Sequence, residues 1–398
     1  MERGGRCTRY QLGCLFGLLA LVSAFAIEGD TRSYQRINSY YAKLLQPREL
    51  KGIKGPHFWK AGKIFWAADG YLESSDDVGL TYAHEDALPA SWDGPARFVS
   101  ETILADRRNV YVKVSGRFQR VLSHFRCWYV CGSQLKSGDF VIGEYGNRIY
   151  RVDSKTGEAT LILEKPAKAR HFHVTAVDPF TNDIYTSLGD DFKEYAKFGD
   201  RVTGIMRSQD EGKNWKWLYK TIVGSGPINR QPTAIYFDRD KIFFGTDSKP
   251  HGVFILDRAS GTFEQAYAMP ARFRSWFTEI EKAKGSYWAL SRAFAKKSFG
   301  FLWWSGDGKA WTPVQAFEGT PVWLQMNDAN DVMSVGFFER DLDVIAFKTP
   351  DAAQMAELVS AAPTFAFASL LRGKIFAAST PQKEQSQKAP ADESGPTL

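Results

Sequence analysis

Arg170-His171-Phe172-His173 is the densest group of chemistry-bearing side chains in this sequence. In an extended strand, residues two apart point to the same side. His171 and His173 would then stand together, able to share a proton-transfer task or to co-ligate a metal. A metal would need a third ligand, and Glu144, Asp190 and His251 are the candidates. The alternative is one core histidine beside one surface histidine. Tyr145 and Glu144 complete the candidate catalytic set, a phenol and a carboxylate of the types that general acid–base chemistry uses. Adjacent strand residues face opposite ways, so Glu144 and Tyr145 are not expected to work as a pair. Arg126, Arg170, Arg230 and Arg274 are candidates for gripping a carboxylate or sulfate through a bidentate fork, with Asp190, Asp247 and His251 as further ligand contacts. Otherwise these arginines are solvated or paired with a neighbouring Asp.

The elements that must position these residues recur along the chain. One phrase, a strand, a short polar turn and a second strand ending in small or acidic residues, begins at His57, Cys127, His171, Gln231, Phe273 or Arg274, Val322 and Phe365. A degenerate copy surrounds Arg97 to Val114. The steps from 127 to 171, 231 to 274, 274 to 322 and 322 to 365 are 44, 43, 48 and 43 residues. Helical solenoids repeat at similar lengths, but these segments are aromatic, β-branched and alternating. A four-stranded blade with this period predicts an all-β, seven-bladed β-propeller, with six or eight blades as the alternatives. Residues 149–164 and 253–267 read as outer hairpins. The FAFASLLRGKIFAAS phrase from Phe365 has no outer hairpin and is expected to pair with strands near Tyr34 to Leu45, closing the ring. Asp351 to Val359 is the one modest helical candidate.

A second motif is in phase with the blades. Ser75-x-Asp77-x-Gly79-x-x-Tyr82 and Ser208-x-Asp210-x-Gly212-x-x-Trp215 share the pattern Ser-x-Asp-x-Gly-x-x-aromatic, and Ser305-Gly-Asp307-Gly308-Lys-Ala-Trp311 is one residue shorter. This resembles the Asp-box, or bacterial neuraminidase repeat, of the sialidase-like propeller superfamily. The motif's role is a turn: glycine allows a positive φ, the carboxylate caps backbone N–H groups, and the aromatic packs between blades. It is structural and carries no catalysis.

In such a ring, inner strands start on the face to which second strands return, and the Asp-box turns lie on the opposite face. Basic residues recur at the starts (His57, Arg97, Arg126, Arg170, Arg230, Arg272 and Arg274), while Asp69, Glu144, Asp190, Asp191, Asp247, His251 and Arg292 mark the returning ends. A concave mouth lined this way favours an anionic ligand. The step from 171 to 231 is 60 residues, and its excess falls around Asp190 to Asp200. That excess is either a lid over the mouth or a tolerated insertion. Trp59, Trp66, Trp128, Trp276 and Trp323 lie on or near inner strands, most of them expected between blades and some available to stack on sugar rings.

Composition narrows the rest. The chain has 398 residues, 51 Lys+Arg against 45 Asp+Glu, and 44% hydrophobic residues, which excludes a disordered chain. Residues 1–26 read as a signal peptide: Arg3, Arg6 and Arg9, an apolar stretch from Leu12 to Val22, then Ala24-Phe25-Ala26 as cleavage site. An uncleaved anchor is the alternative and the one route to a membrane. Cleavage removes three Arg and one Glu and lowers the net charge from +6 to +4, too mild for nucleic-acid binding. Residues 27–379 then form one domain and 380–398 a polar, disordered tail. Cys127 and Cys131 are too far apart in a regular strand to bridge, and Cys-x3-Cys is a poor zinc signal. No cofactor is specified by the sequence.

From Gly143 to Gly261 the chain is similar to secreted Asp-box propellers, through Gly143-Glu-Tyr-Gly-Asn147, His171 to Ile184, Gly189-Asp190, and Gly245-Thr-Asp-Ser248 with Asp257-Arg258. The superfamily includes sialidases, other glycosidases and polysaccharide lyases. A sialidase would need an early Arg-Ile-Pro tripeptide, which is absent. By resemblance, a periplasmic or secreted protein that cleaves an acidic polysaccharide, as a lyase or a glycoside hydrolase, is expected. His171 or His173 would serve as base and arginines as carboxylate clamp, and a non-catalytic glycan-binding or assembly component is the alternative.

Overall fold

The alternating phrases fold into seven four-stranded antiparallel sheets arranged as a propeller. This computed structural model describes residues 34–77, 81–92, 96–126, 132–189, 202–222, 231–248, 251–270, 273, 275–293, 299–338 and 342–362. The expected leader, both cysteines Cys127 and Cys131, Trp128, the 190–200 segment, Arg230, Arg272, Arg274, the phrase from Phe365 and the tail lie outside those residues. Inner strands begin at His57, Phe98, Gly132, His171, Pro232, Ser275 and Pro321. The hairpins expected at 149–164 and 253–267 are the outer strands of the third and fifth blades.

Ring closure differs from the expectation. Arg48–Lys54 pairs antiparallel with Asp343–Lys348 and supplies the outermost strand of the seventh blade, whose other three strands come from residues 321–348. A strand from before the first blade therefore completes the last one. Residues 34–45 form a helix, with Tyr34, Ile37, Tyr41 and Leu45 buried at three- and four-residue spacing. Burying each of these side chains stabilises the docked helix by about 1.5–3 kcal/mol. Asn38 lends both ends of its amide to the outer strand of the sixth blade: Nδ2 donates to Ala316 O (3.0 Å) and Oδ1 accepts from Ala316 N (2.7 Å). That side chain imitates a paired strand at an open sheet edge. The second helix, Ala352–Ser360, falls where the helical pattern was read and meets the first through Tyr40 Oη donating to Leu358 O (3.0 Å).

The three Ser-x-Asp phrases form turns between third and fourth strands. Asp210 Oδ1 accepts from Ser208 Oγ and Asn214 N (both 2.8 Å), and Asp307 Oδ1 from Lys309 N and Ala310 N (2.8 and 2.9 Å). Asp77 accepts from Thr81 in the same way (2.9 Å). Two of the turn aromatics reach the preceding blade, Trp215 donating to Ile162 O (3.2 Å) and Tyr82 to Lys51 O, while Trp311 Nε1 donates to Gly308 O of its own turn (3.0 Å). Gly212 needs its positive φ of 92° to close its turn. Ion pairs join blades on the same face, Arg151 to Glu211 (2.9 Å), Lys282 to Asp238 (2.6 Å) and Arg258 to buried Asp178. That face carries the turns and the ion pairs; the inner strands begin on the opposite one.

Candidate functional site

His171 is the first residue of the fourth blade's inner strand, His171–Val177, and His173 lies two residues deeper. Both are buried. Their rings stand 4.9 Å apart, as period two requires. A bulge between Phe172 and Thr175 places His173 where the strand register slips. Its ring occupies space that exists because residue 189, opposite on the second strand, is glycine: a Cβ there would sit 1.9 Å from His173 Cε1. His173 Nδ1 lies 3.3 Å from the Pro232 carbonyl of the fifth blade, which also accepts from Ser187 Oγ (2.7 Å). A carbonyl only accepts, so in this contact Nδ1 is the donor.

Tyr145 joins the pair from the third blade. Its ring centroid is 4.4 Å from that of His171 and 5.9 Å from that of His173, nearly parallel to the latter at 6°. Backbone latches hold it there. Tyr145 N donates to Arg126 O (2.7 Å), and Gly146 O accepts from Phe172 N (2.9 Å), tying the loop directly beside His171. Glu144 turns away into the same loop: Oε2 accepts from Asn147 N and Arg148 Nε, both at 3.2 Å. Its carboxylate closes the turn, and this pairing raises the Arg148 guanidinium above its ordinary range. Glu144 and Tyr145 follow the end of the strand Phe140–Gly143, so their separate partners are set by the loop and not by strand alternation.

Of the other expected ligand contacts, Arg126 is exposed and lies six residues before the third blade's inner strand, and Arg170 is half-buried immediately before the fourth's. Asp247 follows the second strand of the fifth blade and donates its backbone N–H to Gln231 O (3.3 Å), while buried His251 immediately precedes that blade's third strand. Arg230, Arg274 and Asp190 fall outside the described residues. Among the described residues no three His, Cys, Asp or Glu side chains are grouped to hold a metal ion. His57, at the first blade's start, is built into the scaffold: Nε2 meets Ser334 Oγ at 2.7 Å and Nδ1 meets Gly55 O at 3.1 Å. Burial lowers its pKa to about 4, against a smaller opposing effect of the Gly55 carbonyl.

Sequence reading marked Trp276 and Trp323 but not the cluster of aromatic and arginine side chains they join. Val322 and Trp323, at the seventh blade's inner start, are buried in one apolar cluster with Tyr145 and Phe338 packed against it. Arg97 of the second blade lies over the Phe338 ring at 4.9 Å, and Arg292 of the sixth lies over the same ring at 5.6 Å and over Trp276 at 5.4 Å. The two arginines were marked by their position at strand ends; Phe338 carried no signal of its own.

Fold and site together define a seven-bladed β-propeller with a Tyr–His–His cluster at the mouth opposite its capped turns. No family model matches the sequence, and no curated protein matches it. Solved structures share the architecture at low identity. The extracellular domain of a putative hybrid two-component system from B. thetaiotaomicron is 12% identical with a TM-score of 0.52, over 75% of this chain and 39% of that one. A chain of the mitotic checkpoint complex gives the same identity and TM-score over 77% and 95%. A gluconolactonase from Xanthomonas campestris is 12% identical with a TM-score of 0.43, over 62% and 82%. The first two likenesses bear on the fold alone.

Proposed function

We propose that this propeller is exported to the periplasm or beyond and engages an acidic polysaccharide at the mouth that holds Tyr145, His171 and His173, cleaving it by β-elimination. The convergence of those three rings within 6 Å of one another carries the reading. In the reaction, a neutral imidazole takes the proton on the carbon next to a uronate carboxylate. The electron pair forms the new C=C bond, the C–O bond to the neighbouring sugar breaks, and the departing oxygen receives a proton from Tyr145 or a histidine. Arginines neutralise the carboxylate, whose negative charge grows as the carbon is deprotonated. Hydrolysis is less well supported, because it needs two carboxyl groups across the scissile bond and Glu144 is committed to its own loop.

A non-catalytic glycan-binding component is the second reading. It is favoured by the packing of Tyr145 and Phe338 against the Val322–Trp323 cluster, which offers aromatic surface beside the histidines without adding an acid or base. One assay separates the two. Purified protein is incubated with acidic and neutral polysaccharides, following ultraviolet absorbance of unsaturated uronates and release of reducing ends. Both signals rising, and vanishing in His171→Ala, His173→Ala or Tyr145→Phe, is the expected result. Reducing ends without absorbance would indicate hydrolysis. Retention on an acidic glycan with neither signal would establish the binding module.

A further inference from the structure

Trp276, Arg292, Phe338 and Arg97 form an alternating row of rings and guanidinium groups at the mouth. The row joins three blades. Trp276 and Arg292 come from the start of the first and the end of the second strand of the sixth blade, Phe338 from the end of the seventh blade's second strand, and Arg97 from the residue before the second blade's inner strand. All four are half-buried, so they are both held and reachable from solvent. The two guanidinium carbons lie 4.9 and 5.6 Å from one ring centroid, hence within about 10.5 Å of each other. Two guanidinium groups on one ring give this part of the mouth a positive potential, which favours an anionic group of the ligand. A ring beneath a guanidinium also engages its face, restraining the plane in which its N–H fork can point; a planar, two-oxygen acceptor suits such a fork.

Phe338 and Tyr145 pack against the same two residues, Val322 and Trp323, so the row is continuous with the Tyr145–His171–His173 cluster. We infer that Arg97 and Arg292, set over Phe338, form the carboxylate subsite of the mouth, with Trp276 and Phe338 offering faces to the sugar rings of a uronate-containing chain. This assignment rests on the acidic-glycan reading above and gives it a location. A uronate bound here places an adjoining sugar toward Tyr145 and His171.

The test is calorimetric titration of the whole protein with a polyuronate oligomer, its methyl ester and a sulfated glycan. Wild type is expected to bind the acid and to bind the ester at least tenfold more weakly. Arg97→Gln and Arg292→Gln are each expected to weaken binding of the acid tenfold or more and to leave the ester unaffected. Arg97→Lys and Arg292→Lys keep charge and bulk while losing the fork, and should recover only part of the affinity, which guards against a loss due to misfolding. If wild type binds the polyuronate and the Arg97→Gln/Arg292→Gln double variant does so within twofold, the subsite assignment falls and the acidic-glycan reading stands. A preference for the sulfated glycan overturns the choice of carboxylate. If wild type binds none of the three, the acidic-glycan reading fails and the subsite with it.

Discussion

Replacing Gly189 by alanine tests how the site is built. A Cβ at this position would lie 1.9, 2.4 and 2.5 Å from Cε1, Nδ1 and Nε2 of His173, far inside contact distance. The ring is buried beside the Pro232 carbonyl and cannot swing aside without losing that contact. Gly189→Ala must therefore displace the imidazole or spread two strands that pair at His171 and Gly189. Overpacking of this kind costs about 1–3 kcal/mol. His173→Ala removes the obstacle, and Ser187 Oγ still serves the Pro232 carbonyl at 2.7 Å, so no acceptor is orphaned. In that background the second substitution should be neutral or stabilising by about 0.4–1 kcal/mol, since alanine restricts the unfolded chain more than glycine does. The coupling between the two sites is then about 2 kcal/mol, measured from urea-unfolding midpoints of the wild type, both single variants and the double variant. Equal destabilisation by Gly189→Ala in both backgrounds, or none in either, would refute the account of His173 wedged over Gly189.

Other perturbations probe the scaffold. Burial holds His57 near a pKa of about 4 when folded, against 6.5 when unfolded, so between those pH values the unfolded chain binds more protons and stability falls as pH drops. His57→Gln should flatten the stability profile in this window by about 3 kcal/mol. Glu281 has the opposite sign: burial raises its carboxyl from 4.5 to about 7, so stability is lost as pH rises through that interval. Glu281→Gln should match wild type at pH 4 and exceed it at pH 8 by up to about 3 kcal/mol, and equal stability at both pH values would contradict the assignment. Asp210→Ala removes the acceptor for Asn214 N and Ser208 Oγ and should lower stability by about 1 kcal/mol, read from the same urea curves. Asn38→Ala exposes the edge at Ala316 and should cost about 1–2 kcal/mol while raising aggregation measured by light scattering.

Much of the fold was legible because its signals are local. Alternation within each phrase gives strands, and the spacing of the phrases gives blades. Ser208, Asp210 and Gly212 complete their turn within eight residues, with no need of the rest of the chain beyond the Trp215 contact to Ile162. His171 and His173 were legible as neighbours for the same reason, since strand geometry alone sets i and i+2 together. The closure was harder to read. Tyr34, Ile37, Tyr41 and Leu45 carry a helical period, yet the need to cover a sheet edge suggested strands there. The edge is instead covered by Arg48–Lys54, a short segment that becomes a strand through its pairing with Asp343–Lys348.

The sequence by itself determined the all-β architecture, the blade period, the capped turns and the shared direction of the two histidines. Only the tertiary structure decided what meets them. Tyr145 reaches His171 because its loop is latched to Phe172 across a blade boundary, and Glu144 is withdrawn by Arg148 in that same loop. Arg97 and Arg292 meet over Phe338 because ring closure returns the seventh blade to the first and carries strand ends distant in the chain to one axis. Periodicity describes each strand relative to its own sheet. Contacts at the axis depend on how seven sheets are turned about a common centre, and no local pattern records that angle.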